Sequence, residues 1–296
     1  MYALQHIKAQ NILEVKNAKA SVYGKIYLDE GASLQELKLN NKAIIQDLSP
    51  LPYSTTYASS ILFPFANRIK DGSYEFEGET FQFNINQKEE QNALHGLVYN
   101  KTFQLVNSQL TADTATISLE YIEKKVSKGF PYTYTIKLDY VFAETSIDVK
   151  LSVVNTSTKT FPFTLGWHPY FTSANLYESK LIFDSKEKLI IGARNITEGT
   201  TTIKTNNALK IEDNFLDDCW ILNSDKVLFE TPEYNLQFNA TGNNNFLQAY
   251  TPPKANTIAI EPTTGVSNSF NNKIGLNTLK PSETYAITWT ITIQNN

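Results

Sequence analysis

The sequence predicts an all-β fold, a large antiparallel β-sandwich, and three observations carry that prediction. The first is residue choice: 17 Phe and 16 Tyr stand against one Met and one Cys. Phe, Tyr and Thr suit a pleated, half-buried surface, whereas a helical chain of 296 residues draws on Ala, Leu and Met. The second is period-two alternation of apolar and polar residues, which recurs while no long stripe of period 3.6 appears. The third is punctuation by turn residues such as Asp71-Gly72 and Glu77-Gly78 between the alternating runs.

Taken in order, the first local signal is an exception. Ser33 and Glu36 have the spacing of a capping box, which predicts one or two helical turns over Ser33 to Leu39. Residues 68 to 86 read as a meander, with Tyr74 and Phe76 in one strand and Phe81, Phe83 and Ile85 in the next. Tyr134 to Phe142 and Ile147 to Val153 alternate on either side of a short polar connection and read as a hairpin. Val227 to Phe238 repeats this around Thr231-Pro232-Glu233, and Tyr285 to Ile293 forms a last half-buried strand. At the strand spacing usual in all-β folds the chain holds about 25 strands. No Pro/Gly/Ser-rich linker or shift in composition divides it, and no internal repeat suggests a propeller or solenoid. The expectation is a single domain over residues 1–296.

Charge and cysteine content narrow the function. The net charge of −4 comes from 26 basic and 30 acidic residues spread without blocks, so no basic stripe awaits a nucleic acid. Cys219 has no internal disulfide partner and cannot build a cysteine zinc site. No apolar run approaches the ~18 residues of a membrane span. The first twenty residues carry Lys8, Glu14 and Lys16 and lack the apolar stretch of a signal peptide, which predicts a cytoplasmic location.

Common signatures for nucleotide binding, zinc hydrolysis and dithiol chemistry are missing. Gly265-Val266-Ser267-Asn268-Ser269 lacks the final glycine of a nucleophile elbow, and no strand–turn–helix pattern is evident around it. The three histidines say more, because histidine moves protons near neutral pH. His95 lies in Asn92-Ala93-Leu94-His95-Gly96, whose small and polar residues suggest a loop open to a ligand. His168 lies in Gly166-Trp167-His168-Pro169-Tyr170-Phe171, with aromatic neighbours on both sides. His6 has no motif around it and is read as structural. Asn67-Arg68 closes the apolar run Phe63-Pro64-Phe65-Ala66 with an amide and a guanidinium, a pair able to bond several hydroxyls at once. Glu261 ends the apolar Ile258-Ala259-Ile260, where a carboxylate is either hydrogen-bonded or tuned as a base. Asp217 and Asp218 precede Cys219-Trp220, and in a strand they face opposite sides, so one of them at most enters a given site.

The order Asn-Arg-Ile, Leu-His-Gly, His-Pro-Tyr-Phe, an Asp two residues before Cys-Trp, then Glu-Pro resembles the aldose 1-epimerase (galactose mutarotase) family. The closing Leu279-Lys280-Pro281-Ser282-Glu283-Thr284-Tyr285 looks like that family's last turn and strand. Leu97 after Gly96 departs from the family's frequent His-Gly-Gly, and the His-Pro form of the third block departs from the His-Ser of galactose-specific members and looks more like a divergent aldose-epimerase-like branch. The resemblance implies a galactose mutarotase-like supersandwich that interconverts the α and β anomers of a free hexose. It implies Glu261 as general base and His168 as general acid, with His95, Arg68, Asn67 and Asp217, preferred over Asp218, binding the substrate. The partner implied is a small-molecule sugar, with no cofactor and no metal. Trp167 or Tyr170 would stack on the pyranose.

Three other readings compete. A hexose-6-phosphate 1-epimerase calls for further basic residues around the pocket to clamp a dianion, and Arg68 is the sole Lys or Arg in the site-forming motifs. A non-catalytic carbohydrate-binding module has no need of a matched base and acid. A glycosidase built on Asp217 and Glu261 requires a particular carboxylate separation.

Overall fold

The computed structural model describes residues 1–204, 208–243 and 245–294. Among them are 26 strands and two α-helices of four residues each. The fold is all-β, built from large antiparallel sheets. Among the described residues no helix is long and apolar enough to cross a membrane.

The largest sheet runs in the order Gln104–Leu110, Thr114–Glu123, Tyr134–Ala143, Ser146–Asn155, Thr284–Gln294, Asn235–Ala240, Asp217–Glu230, Phe246–Tyr250, Thr257–Thr263, Gly166–Trp167, Ile61–Leu62. The hairpin read from alternation forms as expected, with Leu138 opposite Leu151 and Tyr140 opposite Val149. Its apolar residues share one buried face because side chains on a strand alternate sides. Asp217–Glu230 is the hub of this sheet. Its first part pairs with Phe246–Tyr250 and its last part with Asn235–Ala240 around the Thr231–Tyr234 turn.

Residues 2–45 form a five-stranded antiparallel sheet. Its apolar side packs on the hairpin of the larger sheet. A Cβ on Gly24 would lie 2.4 Å from the ring of Phe142, so only glycine lets the two layers approach this closely. The Tyr140 hydroxyl crosses between them to donate to the Ala32 carbonyl at 2.9 Å.

Aromatic rings fill the region beneath the loops. Phe63 packs against Phe130, Tyr134, Phe161 and Phe163, while Phe65 meets Phe83 and Phe270. These contacts anchor the Phe63–Ala66 segment, and the polar residues that follow are set in place by it.

Three local expectations are corrected. Ser33–Leu39 is a strand, not a helix. Its pairing with Tyr23–Tyr27 shifts register between Lys25 and Ile26, leaving Gln35 as an extra residue. This bulge spaces the buried Leu34 and Leu37 three apart and so imitates a helical period. Glu36 serves not as a cap but as the cross-strand partner of Lys25, at 3.0 Å. Farther on, the alternation through Ile85 outlasts its strand, which ends at Gln82. Third, a strand, a turn and a short helix, Ser269–Asn272, do surround Gly265–Ser269. Ser267 nevertheless points its hydroxyl to the Asn195 carbonyl at 2.8 Å and is no exposed nucleophile.

Candidate active site

The site is written first in the register of three strands. Asp217 pairs with Tyr250, Tyr250 with Ala259, and Ala259 with Tyr170. One step along, Cys219 pairs with Gln248 and Gln248 with Glu261. Directly opposed residues share a face, and so do residues two apart on one strand. Asp217, Gln248, Tyr250, Glu261 and Tyr170 therefore all rise from the same side of the sheet. That side is the floor of a cavity of about 330 Å³.

The walls come from loops with left-handed backbone. Asn67 and His95 both have φ near 60°, and Gly96 follows at 75°. A Cβ on Gly96 would lie 2.2 Å from the Phe63 carbonyl oxygen, so glycine is required there. The backbone N–H of His95 donates to the Asn67 carbonyl at 2.8 Å, and that of Leu97 to Phe63 at 2.7 Å. Arg68–Lys70 and Asn92–Leu94 pair as a short ribbon, which joins the two loops. The guanidinium of Arg68 is aimed by three acceptors: Glu90 at 2.9 Å, Gln87 at 3.2 Å and the side chain of Asn67 at 2.9 Å.

His168 follows Gly166–Trp167, with its backbone N–H donating to Ser60 and its carbonyl accepting from Ser59. Its ring stacks on Tyr170 at 5.0 Å between centroids and meets His95 edge-on at 5.0 Å. Its Nε2 lies 3.4 Å from Oε1 of Glu261, both side chains being buried. Tyr170 is tied down by its hydroxyl, which donates to the Thr56 carbonyl at 3.0 Å.

Burial dominates the electrostatics. It pushes the Glu261 carboxyl well above the usual range, with Asp217 adding to the rise and Arg68 opposing it. It pulls the His168 imidazole down to about 4, helped by Arg68 and opposed by its own backbone carbonyl. His95 is held well below its ordinary value by burial, then by His168 and Arg68. Asp217 is raised, again first by burial, while Arg68 and the Gln248 amide at 2.8 Å act the other way. A carboxyl that resists losing its proton thus touches an imidazole that resists gaining one.

The structure brings Asn67, Arg68, His95, His168, Asp217 and Glu261 to this single cavity. Asp218 is on the opposite face and pairs with Lys188 at 2.7 Å. Trp167 is not in the cavity. It is buried on the far side of the sheet, beside Leu247, Ile260 and Trp289, because it is one residue out of phase with His168. Tyr170 is in the cavity but its ring is engaged by His168. The other aromatic walls are Tyr57, Tyr250 and Phe215. These and Gln248 escape a reading of motifs. Gln248 lies in Phe-Leu-Gln-Ala-Tyr, a strand with nearly every residue buried, so no alternation marks it. The signal for Gln248 is its register opposite Glu261, which only the folded sheet supplies.

Comparison with known proteins agrees with this architecture. The family model described as aldose 1-epimerase matches residues 16–292. The Escherichia coli K12 protein YihR, described as uncharacterized, is 24% identical over 289 residues, covering 92% of this chain and 91% of its own length. Among solved structures, a galactose mutarotase-like protein from Clostridium acetobutylicum superposes with a TM-score of 0.88 at 19% identity, covering 100% of this chain and 99% of the other. Galactose 1-epimerase from Lactobacillus acidophilus NCFM gives a TM-score of 0.82 at 17% identity, covering 100% and 98%. At such identities the superpositions speak for the fold, a galactose mutarotase-like one, while the family match spans nearly the whole sequence. This chain belongs to the aldose 1-epimerase family.

Proposed function

We propose that this protein is an aldose 1-epimerase, interconverting the α and β anomers of a free hexose by acid–base ring opening and reclosure. The observation that carries the reading is the buried contact of Glu261 with His168 at the base of a cavity whose other walls combine hydrogen-bonding groups with aromatic rings. Ring opening takes one proton from the anomeric hydroxyl and delivers one to the ring oxygen, so it needs one acceptor and one donor. Glu261 is the base and His168 the acid. The bond from the anomeric carbon to the ring oxygen breaks, the aldehyde turns about its bond to the next carbon, and reclosure with the roles reversed gives the other anomer. Burial raises the carboxyl and lowers the imidazole, which removes the usual preference of a proton for the imidazole and suits a proton that passes between the two. The reactive arrangement has that proton on His168. His95 bonds the ring oxygen, and Asn67, Arg68 and Asp217 hold hydroxyls.

A free sugar rather than a phosphorylated one is favoured by charge. Among the described residues Arg68 is the only Lys or Arg lining the cavity, and Glu90 already pairs with it. Polarimetry on fresh α-glucose and α-galactose tests the reading. Glu261→Gln and His168→Asn are each expected to lower kcat by about 10²–10⁴-fold. Full activity in both variants overturns the assignment of roles.

A further inference from the structure

Arg194 and Asn195, in the turn Ala193–Asn195, have φ of 62° and 56°. Asn tolerates this left-handed region, but an arginine there is uncommon and persists only where its surroundings hold it. What holds it is a set of bonds to Glu90, Gln91 and Asn92, 102 to 104 residues earlier in the chain. Arg194 donates from Nε to the Glu90 carbonyl, and its Nη2 reaches the Gln91 carbonyl at 2.6 Å and the Asn92 side chain at 3.1 Å. The same nitrogen pairs with Asp71 at 2.8 Å. The amide of Asn92, fully buried, returns a bond to the Arg194 carbonyl at 3.0 Å.

These bonds converge on one carboxylate. Oε1 of Glu90 accepts from the Asn195 amide at 2.7 Å, and Oε2 accepts from Nε of Arg68 at 2.9 Å. Arg68 and Asn195 are walls of the cavity, and Glu90 joins them from outside it. Its charge is still felt within, where it adds to the rise of the Asp217 carboxyl.

This arrangement decides what Arg68 can hold. A guanidinium grips an anion best through two parallel N–H groups. Nε of Arg68 is taken by Glu90 and Gln87, and Nη1 donates to Asn67. The edge formed by Nε and Nη2 is therefore closed to a second anion, and the positive charge already faces a carboxylate. N–H groups are left for hydroxyls, which bring no charge.

We propose that Glu90, locked in place by the Arg194–Asn195 turn, is the specificity-determining residue that makes the cavity reject anionic sugars. The proposal rests on the epimerase reading above and deepens it. A phosphate or carboxylate group on the ligand finds the fork of Arg68 occupied and a like charge behind it, so discrimination comes from a built-in repulsion as well as from favourable contacts.

The test has two readouts in the parent protein and in Glu90→Gln. One is the inhibition of glucose mutarotation by inorganic phosphate, and the other is the ratio of kcat/KM for glucose 6-phosphate to that for glucose. In Glu90→Gln phosphate is expected to inhibit about tenfold more tightly, and the ratio to rise about tenfold. Arg194→Met unlocks Glu90 from outside the cavity and is expected to move both readouts the same way by a smaller factor. It carries the test where Glu90→Gln does not fold. No change in either readout overturns the proposal and leaves the epimerase reading standing. If the parent turns over no sugar, the epimerase reading falls, and calorimetry with inorganic phosphate decides the role of Glu90. Binding about tenfold tighter in Glu90→Gln, and lost again in Glu90→Gln combined with Arg68→Ala, supports it. Equal binding, or a gain that survives the loss of Arg68, overturns it.

Discussion

The two faces of one ladder, Asp217–Ile221, Phe246–Tyr250 and Thr257–Thr263, have opposite characters. On one face Asp217, Gln248 and Glu261 surround an open polar cavity. On the other Leu247 and Ile260 pack with Trp167 and Trp289 around an apolar void of about 30 Å³, room for a water or two and no more. The same strands build both, and adjacent residues alternate between them. A one-residue slip would exchange the two sets entirely. The cavity face buries ionisable groups at a cost to stability, while the apolar face supplies the packing that keeps the ladder in register. The candidate site and the packing that supports it are thus separated by the thickness of a sheet.

The largest break in this comparison is expected from the apolar face. Trp167 is fully buried among large side chains, so Trp167→Ala should cost about 3–5 kcal/mol of unfolding free energy. Chemical denaturation measures the loss. Trp167→Phe should lower the midpoint less and leave KM unaltered, and a large change in KM would show that the faces are not separate.

The cavity face should respond in the opposite sense. The Glu261 carboxyl is raised in the folded protein, so the native state holds its proton above the pH where the unfolded chain has lost it. Stability from this group is full below about pH 4.3 and is lost as pH rises toward the folded value, by up to about 1.4 kcal/mol per pH unit. His168, depressed to about 4, acts with the opposite slope up to about pH 6.5, where the unfolded histidine finishes titrating. Of the two, only Glu261 keeps a slope once the unfolded histidine has titrated. Glu261→Gln should therefore gain stability over the parent protein, by a margin that widens as pH rises from about 4.3 toward the folded value, while losing activity. Thermal melts across that interval check the sign, and a gap that stays constant with pH counts against it.

The smallest effects sharpen the contrast between neighbours. Asp217→Asn removes a carboxylate from the cavity, and kcat/KM should fall about tenfold, the equivalent of one hydrogen bond to a charged group. Asp218→Asn removes only a partly exposed partner of Lys188. It should cost under about 1 kcal/mol of stability and no activity. Kinetics of the two variants side by side decide whether the face, rather than the residue type, sets the outcome.

Much of the fold was legible in the sequence, because alternation at Tyr134 to Val153 and Tyr285 to Ile293 translates directly into strands with one buried side. It misled at Ser33–Leu39, where a bulge breaks the period, and was silent at Phe246–Tyr250, where burial on both faces removes it. The six polar residues singled out from motifs all reach one cavity. Trp167 did not follow, since motif proximity to His168 says nothing about which side of a strand a side chain takes.

By itself, then, the sequence determined the class of fold and the residue types available for proton transfer, since both follow from local pattern and intrinsic chemistry. Tertiary structure alone decided that Glu261 meets His168 at 3.4 Å and that Gln248 lies opposite Glu261. Those relations join residues 13 to 93 positions apart in the chain. Strand register sets which of them meet, and register is a property of the whole packed sheet.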